Sequence, residues 1–268
     1  MGLFYEKCKS GLSKKALINK MESIIATIED SIKTGLAGTI HKDRILHQQS
    51  HFIERAEKDG KILKNSVTNK IIAYVTAIME AKSAMEVIVA NPTAGSCGTI
   101  GAALKGVGDD LNSTSDELIR AYFAAGIIGV YFAQGPGFSA EEYGCQVECG
   151  AASGMAAAGI VQLMGGTAAQ AINAASIAIQ NMIGLICDPV ADRVEVPCLG
   201  KNISAAMNAL SSATMACSGF DAVIPLDEVI QTVSRVGEKM PSSVKCTGKG
   251  GLSVTVSSIQ IKEQLKSN

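Results

Sequence analysis

The feature that most constrains this chain is a change in composition at Asn91, after which Ala, Gly and Ser dominate and charges become sparse. The stretch from Cys149 to Thr167 contains no charged residue at all, which is typical either of a membrane span or of a helix buried in a protein core. Its apolar character comes from Ala and Gly rather than from Leu and Ile, and this favours the core helix. Small side chains let neighbouring helices approach closely, so we predict buried Ala/Gly-rich helices at the centre of the molecule.

Helical periodicity dominates the rest of the chain. Apolar residues spaced by three and four positions predict an amphipathic helix from Ala16 to Lys33. Further helices are predicted at about residues 43–58, 67–89, 99–107, 114–132, 146–165, 167–184, 202–217 and 226–238. Strand-like alternation is confined to residues 194–196 and 252–256. We therefore predict an all-α, single multi-helix domain over residues 1–268, with a looser N-terminal helical region (1–85) and a core (86–268).

Composition excludes several classes of protein. Hydrophobic residues make up 47% of the 268 residues and charged residues 18%, so the chain is not intrinsically disordered. The net charge of −1, the absence of Trp and the 4% of aromatic residues argue against nucleic-acid binding. The start of the chain has no apolar segment of signal-peptide length, and eight cysteines do not form a dense disulfide pattern. We expect a cytoplasmic protein that binds neither nucleic acid nor membrane.

Three cysteines lie beside helix-breaking residues. Cys145 follows Gly144 at the start of a predicted helix, Cys187 lies just past the end of another, and Cys198 just precedes a third. Thiols at such positions can be presented together, and backbone N–H groups favour their charged form. No C-x-x-C motif occurs, so neither a zinc ribbon nor a ferredoxin-type cluster is indicated by spacing. Two interpretations stay open from the residues alone: a shared metal site, or ordinary buried cysteines.

Several ordered motifs surround these cysteines. They are Pro92–Gly98 (PTAGSCG), Glu142–Glu148 (EYGCQVE), Leu163–Thr167 (LMGGT), Gly184–Val190 (GLICDPV), Val194–Cys198 (VEVPC) and Thr247–Leu252 (TGKGGL). In content and order, from about residue 85 onward, they resemble the alpha chain of the bacterial iron–sulfur-dependent L-serine dehydratases. Residues 1–85 match more loosely.

The resemblance implies a cofactor and a partner. It implies that Cys145, Cys187 and Cys198 hold a [4Fe–4S] cluster within the core, with one iron left free of protein thiolate. Such an iron suits an oxygen-sensitive hydro-lyase, because it can activate the leaving hydroxyl of a small amino-acid substrate. The family carries a Ser-Ser-His-Thr motif on its beta chain or a fused beta domain. Nothing like it occurs in this sequence, so a partner beta chain is expected to complete the site.

The substrate contacts follow less directly. Thr93 and Ser96 are candidate hydrogen-bond donors to a substrate carboxylate. Lys201 stands where the family has Arg, and is either a carboxylate partner or a solvated lysine at a helix start. Gly135, Gly137 and the Asp192-Arg193 pair depart from the family pattern. The alternatives to L-serine dehydration are therefore a sibling lyase acting on another substrate such as cysteine, a non-catalytic or regulatory paralogue, and a helical protein binding zinc through the same thiols.

The remaining cysteines and histidines receive other interpretations. Cys8 and Cys217 are expected to be ordinary helix residues, and Cys97 to line the site without binding metal. Cys149 is interpreted as a packing residue, with a second thiol near the cluster as the alternative. Cys246 is a weaker candidate for approaching the free iron. His47 and His51 share a predicted helix face, and we expect them to be surface residues because no third ligand is in view.

Overall fold

The structure is a computed structural model that describes residues 1–267, so Asn268, the end of the predicted domain, lies outside the described residues. Within them the regular structure is α-helices and short 3-10 turns, with one isolated parallel β-bridge between Cys187 and Lys245. The all-α prediction is confirmed. The twelve α-helices of the described residues are α1 (Gly2–Ser10), α2 (Lys14–Ala37), α3 (Phe52–Lys58), α4 (Ser66–Ser83), α5 (Cys97–Asp110), α6 (Ser115–Gln134), α7 (Ala140–Tyr143), α8 (Cys149–Leu163), α9 (Ala168–Gln180), α10 (Cys198–Cys217), α11 (Leu226–Lys239) and α12 (Val256–Ser267).

Several of these helices begin where a side chain caps them. Thr114 and Glu117 form a reciprocal capping box at the start of α6, and Thr167 and Gln170 form another at the start of α9. The Ser13 side chain accepts the Ala16 N–H at the start of α2. Such caps satisfy backbone N–H groups that a helix leaves without partners. The short polar residues before each apolar run therefore define where these helices start.

Helix α8 forms the centre of the molecule. Its residues from Cys149 to Val161 are all buried, and it packs against α5, α6, α9 and α10. A Cβ on Gly159 would lie 3.0 Å from the Ala121 carbonyl oxygen and 2.7 Å from Leu104 Cδ2, so the neighbouring helices approach to a distance that requires glycine. The prediction of a buried Ala/Gly-rich helix is confirmed. Nowhere in residues 1–267 does a helix combine the length and apolarity that a bilayer crossing requires.

The N-terminal region differs from its prediction between α2 and α3. The helix predicted from residue 43 to residue 58 is wrong in its first half, since α3 begins only at Phe52. Residues 39–51, here called the N-terminal loop, are irregular. Their backbone N–H groups bind two buried carboxylates instead of a helical turn: Thr39 donates to Glu80, and Ile45 donates to Glu195. Distant acceptors thus replace the local hydrogen bonds of a helix.

Other differences lie near the ends of elements. Helix α4 ends at Ser83 rather than near residue 89. Neither strand-like segment is a strand: residues 194–196 form a turn, and Gly251–Val254 is a 3-10 turn followed by α12. The Leu252 N–H is bound by the Asp188 carboxylate at 2.9 Å, which satisfies the backbone without a neighbouring strand. Helices α1, α7 and α12 were not predicted.

Candidate functional site

The three predicted cysteines line one cavity of about 510 Å³ that is partly open to solvent. Cys145 opens a 3-10 turn immediately before α8, Cys187 lies in the loop after α9, and Cys198 is the first residue of α10. All three are buried, with 5%, 8% and 9% of their surface exposed. We call this the cysteine cavity. Glu141, Glu148, Asp188, Lys201 and Cys246 also line it.

The spacing of the thiols limits what the cavity can hold. No three His, Cys, Asp or Glu side chains in residues 1–267 are grouped closely enough to bind one metal ion. The thiolates of an iron–sulfur cluster bind different irons, so they surround the group and do not converge on a single ion. A cavity walled by buried thiols from separate segments therefore has the kind of donor set that an iron–sulfur cluster uses.

The turn carrying Cys145 is joined to the Cys187 loop by Gln146. The Gln146 backbone N–H donates to the Leu185 carbonyl at 3.1 Å, and its side-chain oxygen accepts the Gly184 N–H at 3.0 Å. Its amide nitrogen donates to the Val233 carbonyl of α11 at 3.1 Å. Gln146 is almost fully buried. One glutamine thus fixes the Cys145 turn relative to the Cys187 loop.

The Cys187 segment is bound on its other side by the chain around residue 245. The Cys187 N–H donates to the Val244 carbonyl and the Cys246 N–H donates to the Cys187 carbonyl, each at 2.9 Å. These bonds form the isolated parallel bridge and bring the Cys246 thiol beside that of Cys187. Cys246 therefore lines the cavity as a fourth thiol.

The Cys198 segment is fixed on its inner side by Asn202, one helical turn later. Asn202 is fully buried, and its amide nitrogen donates to the Cys198 carbonyl at 2.9 Å and to the Gly95 carbonyl at 2.8 Å. Its oxygen accepts the Thr99 hydroxyl at 3.0 Å. Asn202 thus connects α10 to the segment that begins α5.

The Pro92–Gly98 segment contributes a carboxylate partner. The Thr93 hydroxyl donates to Glu148 Oε1 at 2.6 Å and also contacts the Ser96 hydroxyl at 3.1 Å. Ser96 is fully buried and forms a reciprocal capping box with Thr93, in which its hydroxyl accepts the Thr93 N–H at 3.3 Å. Burial raises the pKa of Glu148, and the hydrogen bond from Thr93 opposes this only in part. Both hydroxyls are engaged within the protein, and Thr93 orients the Glu148 carboxylate at the cavity wall.

Lys201 is not a solvated lysine. Its ammonium donates to Asp188 Oδ1 at 2.6 Å and to the Ile186 carbonyl at 2.8 Å, and only 15% of its side chain is exposed. Burial alone would lower the pKa of Lys201, but the hydrogen bond to Asp188 and nearby negative charge outweigh it and raise that pKa. Lys201 therefore stays charged at the cavity wall and ties α10 to the Cys187 loop.

The thiols of the cavity differ in acidity. The Cys149 thiol donates a hydrogen bond to the Cys145 sulfur, which lowers the pKa of Cys145. The hydrogen bond to Cys246, together with burial, raises the pKa of Cys187. Burial raises the pKa of Cys198 to about 12. Cys187 and Cys198 are thus protonated at neutral pH in the metal-free chain, and metal binding to them would release protons.

The remaining cysteines differ in their position relative to the cysteine cavity. Cys97 is buried against Met79, with 3.8 Å between the two sulfurs, and does not line the cavity. Cys149 is buried behind Cys145, where it is both a packing residue and a second thiol beside a predicted ligand. Cys8 is exposed on α1 and Cys217 ends α10.

Comparison with known proteins identifies the family. The model of the serine dehydratase alpha chain matches residues 3–253. The probable L-serine dehydratase alpha chain of Bacillus subtilis (strain 168) is 36% identical over 253 residues, covering 94% of this chain and 84% of the relative. The chain belongs to the serine dehydratase alpha-chain family. The resemblance carried by the cysteine motifs is thereby confirmed.

Relatives in the serine dehydratase family come in two lengths. The L-serine dehydratase alpha chain of Peptoniphilus asaccharolyticus is 39% identical over 193 residues, which are 72% of this chain and 66% of the relative. The L-serine dehydratase TdcG of Escherichia coli (strain K12) is also 39% identical over 193 residues, but these are only 42% of that protein. The family therefore includes both separate alpha chains and longer chains in which the matching part is less than half.

Four residues that position the site in this family member were not assigned a role from sequence. Gln146, Glu148 and Asp188 lie inside the cysteine motifs, and Asn202 follows the Val194–Cys198 motif by four residues. The signal available in the sequence was their polarity at positions near the three predicted cysteines, since a buried polar side chain needs hydrogen-bond partners. Which partners they bind depends on segments distant in sequence, and this no local motif reveals.

Proposed function

We propose that this chain is the cluster-carrying alpha subunit of an L-serine dehydratase, converting L-serine to pyruvate and ammonia. The observation that carries the proposal is the single cavity walled by Cys145, Cys187 and Cys198 in a member of this family. These cysteines would hold a [4Fe–4S] cluster and leave one iron without a thiolate. When bound, the cluster would supply a Lewis acid for the leaving hydroxyl. We further propose a cytoplasmic location and sensitivity to oxygen.

The residues of this chain have distinct tasks in the proposed reaction. Loss of the α-proton and of the β-hydroxyl as water leaves an enamine, whose imine form is hydrolysed to the 2-oxo acid and ammonia. Glu148 is the group at the cavity wall best placed to hold a proton, because burial favours its neutral form while Thr93 orients it. Thr93 and Ser96 as donors to the substrate carboxylate, and Lys201 as its cationic partner, stay predictions.

A partner chain completes the proposed site. None of the three histidines of the sequence lines the cysteine cavity, and the longer relatives carry more than twice the matched length. We therefore propose a heteromer with a beta chain that brings the Ser-Ser-His-Thr motif to the cavity mouth. Serine, threonine and cysteine should be compared as substrates of the assembled protein, since the departures at Gly135, Gly137 and Asp192-Arg193 bear on specificity.

Anaerobic reconstitution with iron and sulfide tests the cluster. The wild-type chain should take up about four irons and four sulfides. Cys145→Ser, Cys187→Ser and Cys198→Ser should each lose most of this, whereas Cys97→Ser, which alters a buried thiol away from the cavity, should not. A wild-type chain that binds no iron, or binds zinc in its place, contradicts the proposal. Pyruvate release from serine on adding the beta chain tests the activity.

Glu148→Gln tests the proton-holding role separately from cluster binding. The amide keeps the shape of the side chain and cannot exchange a proton, so turnover should fall about 10²- to 10⁴-fold at unchanged cluster content. Glu141→Gln is the control, because Glu141 also lines the cavity but is exposed. Equal losses in the two variants would argue against an assigned role for Glu148.

A further inference from the structure

Three consecutive residues before Cys198 are each bound by the N-terminal region. The Arg193 guanidinium lies 3.3 Å from an Asp43 carboxylate oxygen. The Val194 carbonyl accepts a hydrogen bond from the Lys82 ammonium of α4. The Glu195 carboxylate accepts two backbone N–H groups of the N-terminal loop. Residues 193–195 are here called the clamped segment.

Glu195 makes the most buried of these contacts. Its Oε2 accepts the N–H of Ile45 at 3.1 Å and that of Leu46 at 3.0 Å, and only 7% of the residue is exposed. Two N–H groups on one carboxylate oxygen form a strong charge-assisted contact. The partners are about 150 residues away in the chain, so this contact fixes tertiary structure and not a local turn.

The backbone of Glu195 transmits that position to α10. Its carbonyl accepts the Leu199 N–H at 2.9 Å, the hydrogen bond that spans Cys198 at the start of the helix. A shift of Glu195 therefore shifts the first turn of α10 and the cysteine within it. The Glu195 side chain does not line the cysteine cavity; it borders a separate small cavity beneath the N-terminal loop. It is thus placed to position the ligand, not to contact substrate.

The N-terminal loop is itself held in shape before it meets Glu195. Glu80, a buried residue of α4, accepts the Thr39 N–H at 3.3 Å, the Thr39 hydroxyl at 3.2 Å and the Gln49 N–H at 3.4 Å. The Arg44 guanidinium lies 3.9 Å from the same carboxylate. Glu80 therefore binds both ends of the loop, and the amides of Ile45 and Leu46 are presented between them.

Within residues 1–267, Cys145 and Cys187 have no such hydrogen-bonded connection to the N-terminal region. Cys145 and Cys187 are joined to each other through Gln146, and Cys187 to the chain around Cys246. Around Cys198, Asn202 binds on the inner side, and Lys201 together with the hydrogen bond from the Val190 N–H to the Val196 carbonyl joins its segment to the Cys187 loop. The clamped segment is the part that joins Cys198 to the N-terminal region. We infer that Glu195 is a positioning residue for Cys198, through which the N-terminal loop keeps the third thiol in place for the cluster. This inference rests on the proposed function.

The test compares variants at Glu195 in the anaerobically reconstituted chain. Glu195→Met removes the oxygen that accepts both hydrogen bonds, and loss of the cluster to an iron chelator, followed by visible absorbance, should become about 10- to 100-fold faster. Glu195→Gln keeps an acceptor oxygen and should stay within about threefold of wild type, since the hydrogen bonds can be retained. Asp43→Asn is the surface control and should stay within about twofold, because exposed ion pairs contribute little.

Amide hydrogen exchange of the cluster-free chain provides a second readout. Glu195→Met should expose the amides of Ile45, Leu46 and Leu199 while those of α8 stay protected. If Glu195→Met does not fold, Glu195→Asp replaces it, because the shorter side chain withdraws the acceptor and should give an intermediate rate of cluster loss. Exposed amides with an unchanged rate of cluster loss would overturn the positioning role. A wild-type chain that binds no cluster would overturn the proposed function. Even then, amides of Ile45, Leu46 and Leu199 that stay protected in Glu195→Met would separately overturn the inferred role of Glu195.

Discussion

The helical core around α8 and the shell around the cysteine cavity are stabilised by different kinds of contact. In the core, small side chains let backbones touch, as at Gly159 against Ala121. In the shell, buried polar groups bind backbone atoms of distant segments, as Glu195 binds Ile45 and Leu46. The core therefore depends on volume and the shell on hydrogen-bond partners.

This difference has a consequence for function. A close-packed core tolerates few changes of size but needs no particular partner, whereas each polar contact of the shell needs both of its members. The hydrogen bonds of the shell fix the position and orientation of each thiol, as a binding site requires. The polar side chains that position the thiols are therefore sensitive to substitution, because removing one of them leaves a buried group without a hydrogen-bond partner.

The largest loss of stability is expected for Lys201→Met, which tests whether the shell depends on its buried polar contacts. It leaves Asp188, whose side chain is only 5% exposed, without its cation. Removing one member of a buried pair costs about 3–5 kcal/mol, and we expect the lower end because Lys201 is 15% exposed. Denaturant unfolding of the cluster-free chain measures the loss.

The control for that variant is Lys262→Met. Lys262 pairs with Asp192, but both side chains are about half exposed, so the expected loss is about 0–1 kcal/mol. Adding Asp188→Asn to Lys201→Met should recover part of the stability, because the uncompensated charge disappears. Similar losses for Lys201→Met and Lys262→Met would show that the shell does not depend on its buried pair.

A smaller effect is expected for Gly159→Ala, which tests the core. The added methyl would lie 2.7 Å from Leu104 Cδ2 and 3.0 Å from the Ala121 carbonyl oxygen. Overpacking of this kind costs about 1–3 kcal/mol of unfolding free energy. Gly126→Ala is the matched control: it also lies inside a helix but has no heavy atom within 4 Å of the new methyl. It should be neutral or stabilising by up to about 1 kcal/mol. A loss at Gly126 equal to that at Gly159 would break the volume explanation.

The sequence predicts the helical core better than it predicts the shell around the cysteine cavity. Composition and periodicity are local properties, and they predicted the buried helix around Ala156 and most of the helices of the core. Family resemblance placed Cys145, Cys187 and Cys198 at one site, and the structure brings them to one cavity. These successes concern features that neighbouring residues or recurring motifs encode.

The failures concern contacts between distant residues. A helix is predicted from residue 43, but Glu195 binds the Ile45 and Leu46 amides and Glu80 binds the Gln49 amide, so tertiary contacts hold residues 43–51 in an irregular conformation. Residues 252–256 alternate like a strand, yet the Leu252 amide binds Asp188, which lies 64 residues away. Lys201 could not be distinguished from a solvated lysine, because its partner lies in another loop. Each of these three misses involves a polar contact between residues that no local window contains together.

The smallest effect is expected from acidification, and it separates the two regions within one protein. Burial, followed by the nearby Arg44 guanidinium, lowers the pKa of His41 from its ordinary value of about 6.5, despite opposing attraction from Glu195 and Glu80. Arg44 donates to His41 Nδ1 at 3.1 Å, so the neutral ring carries its proton on Nε2, which has no partner among the described residues. Arg193 adds further repulsion to the charged ring.

The sign of the pH dependence follows from that depressed pKa. Below about pH 6.5 the unfolded chain binds a proton at His41 that the folded chain resists, so the folded loop loses stability as the pH falls. Amide exchange of Ile45 and Leu46 should therefore show decreasing protection between about pH 6.5 and pH 5, after correction for intrinsic rates, while the amides of α8 keep theirs. His41→Phe should remove most of this dependence. Parallel loss of protection in the loop and in α8 would mean that the two regions unfold together and that acid does not act through the N-terminal loop.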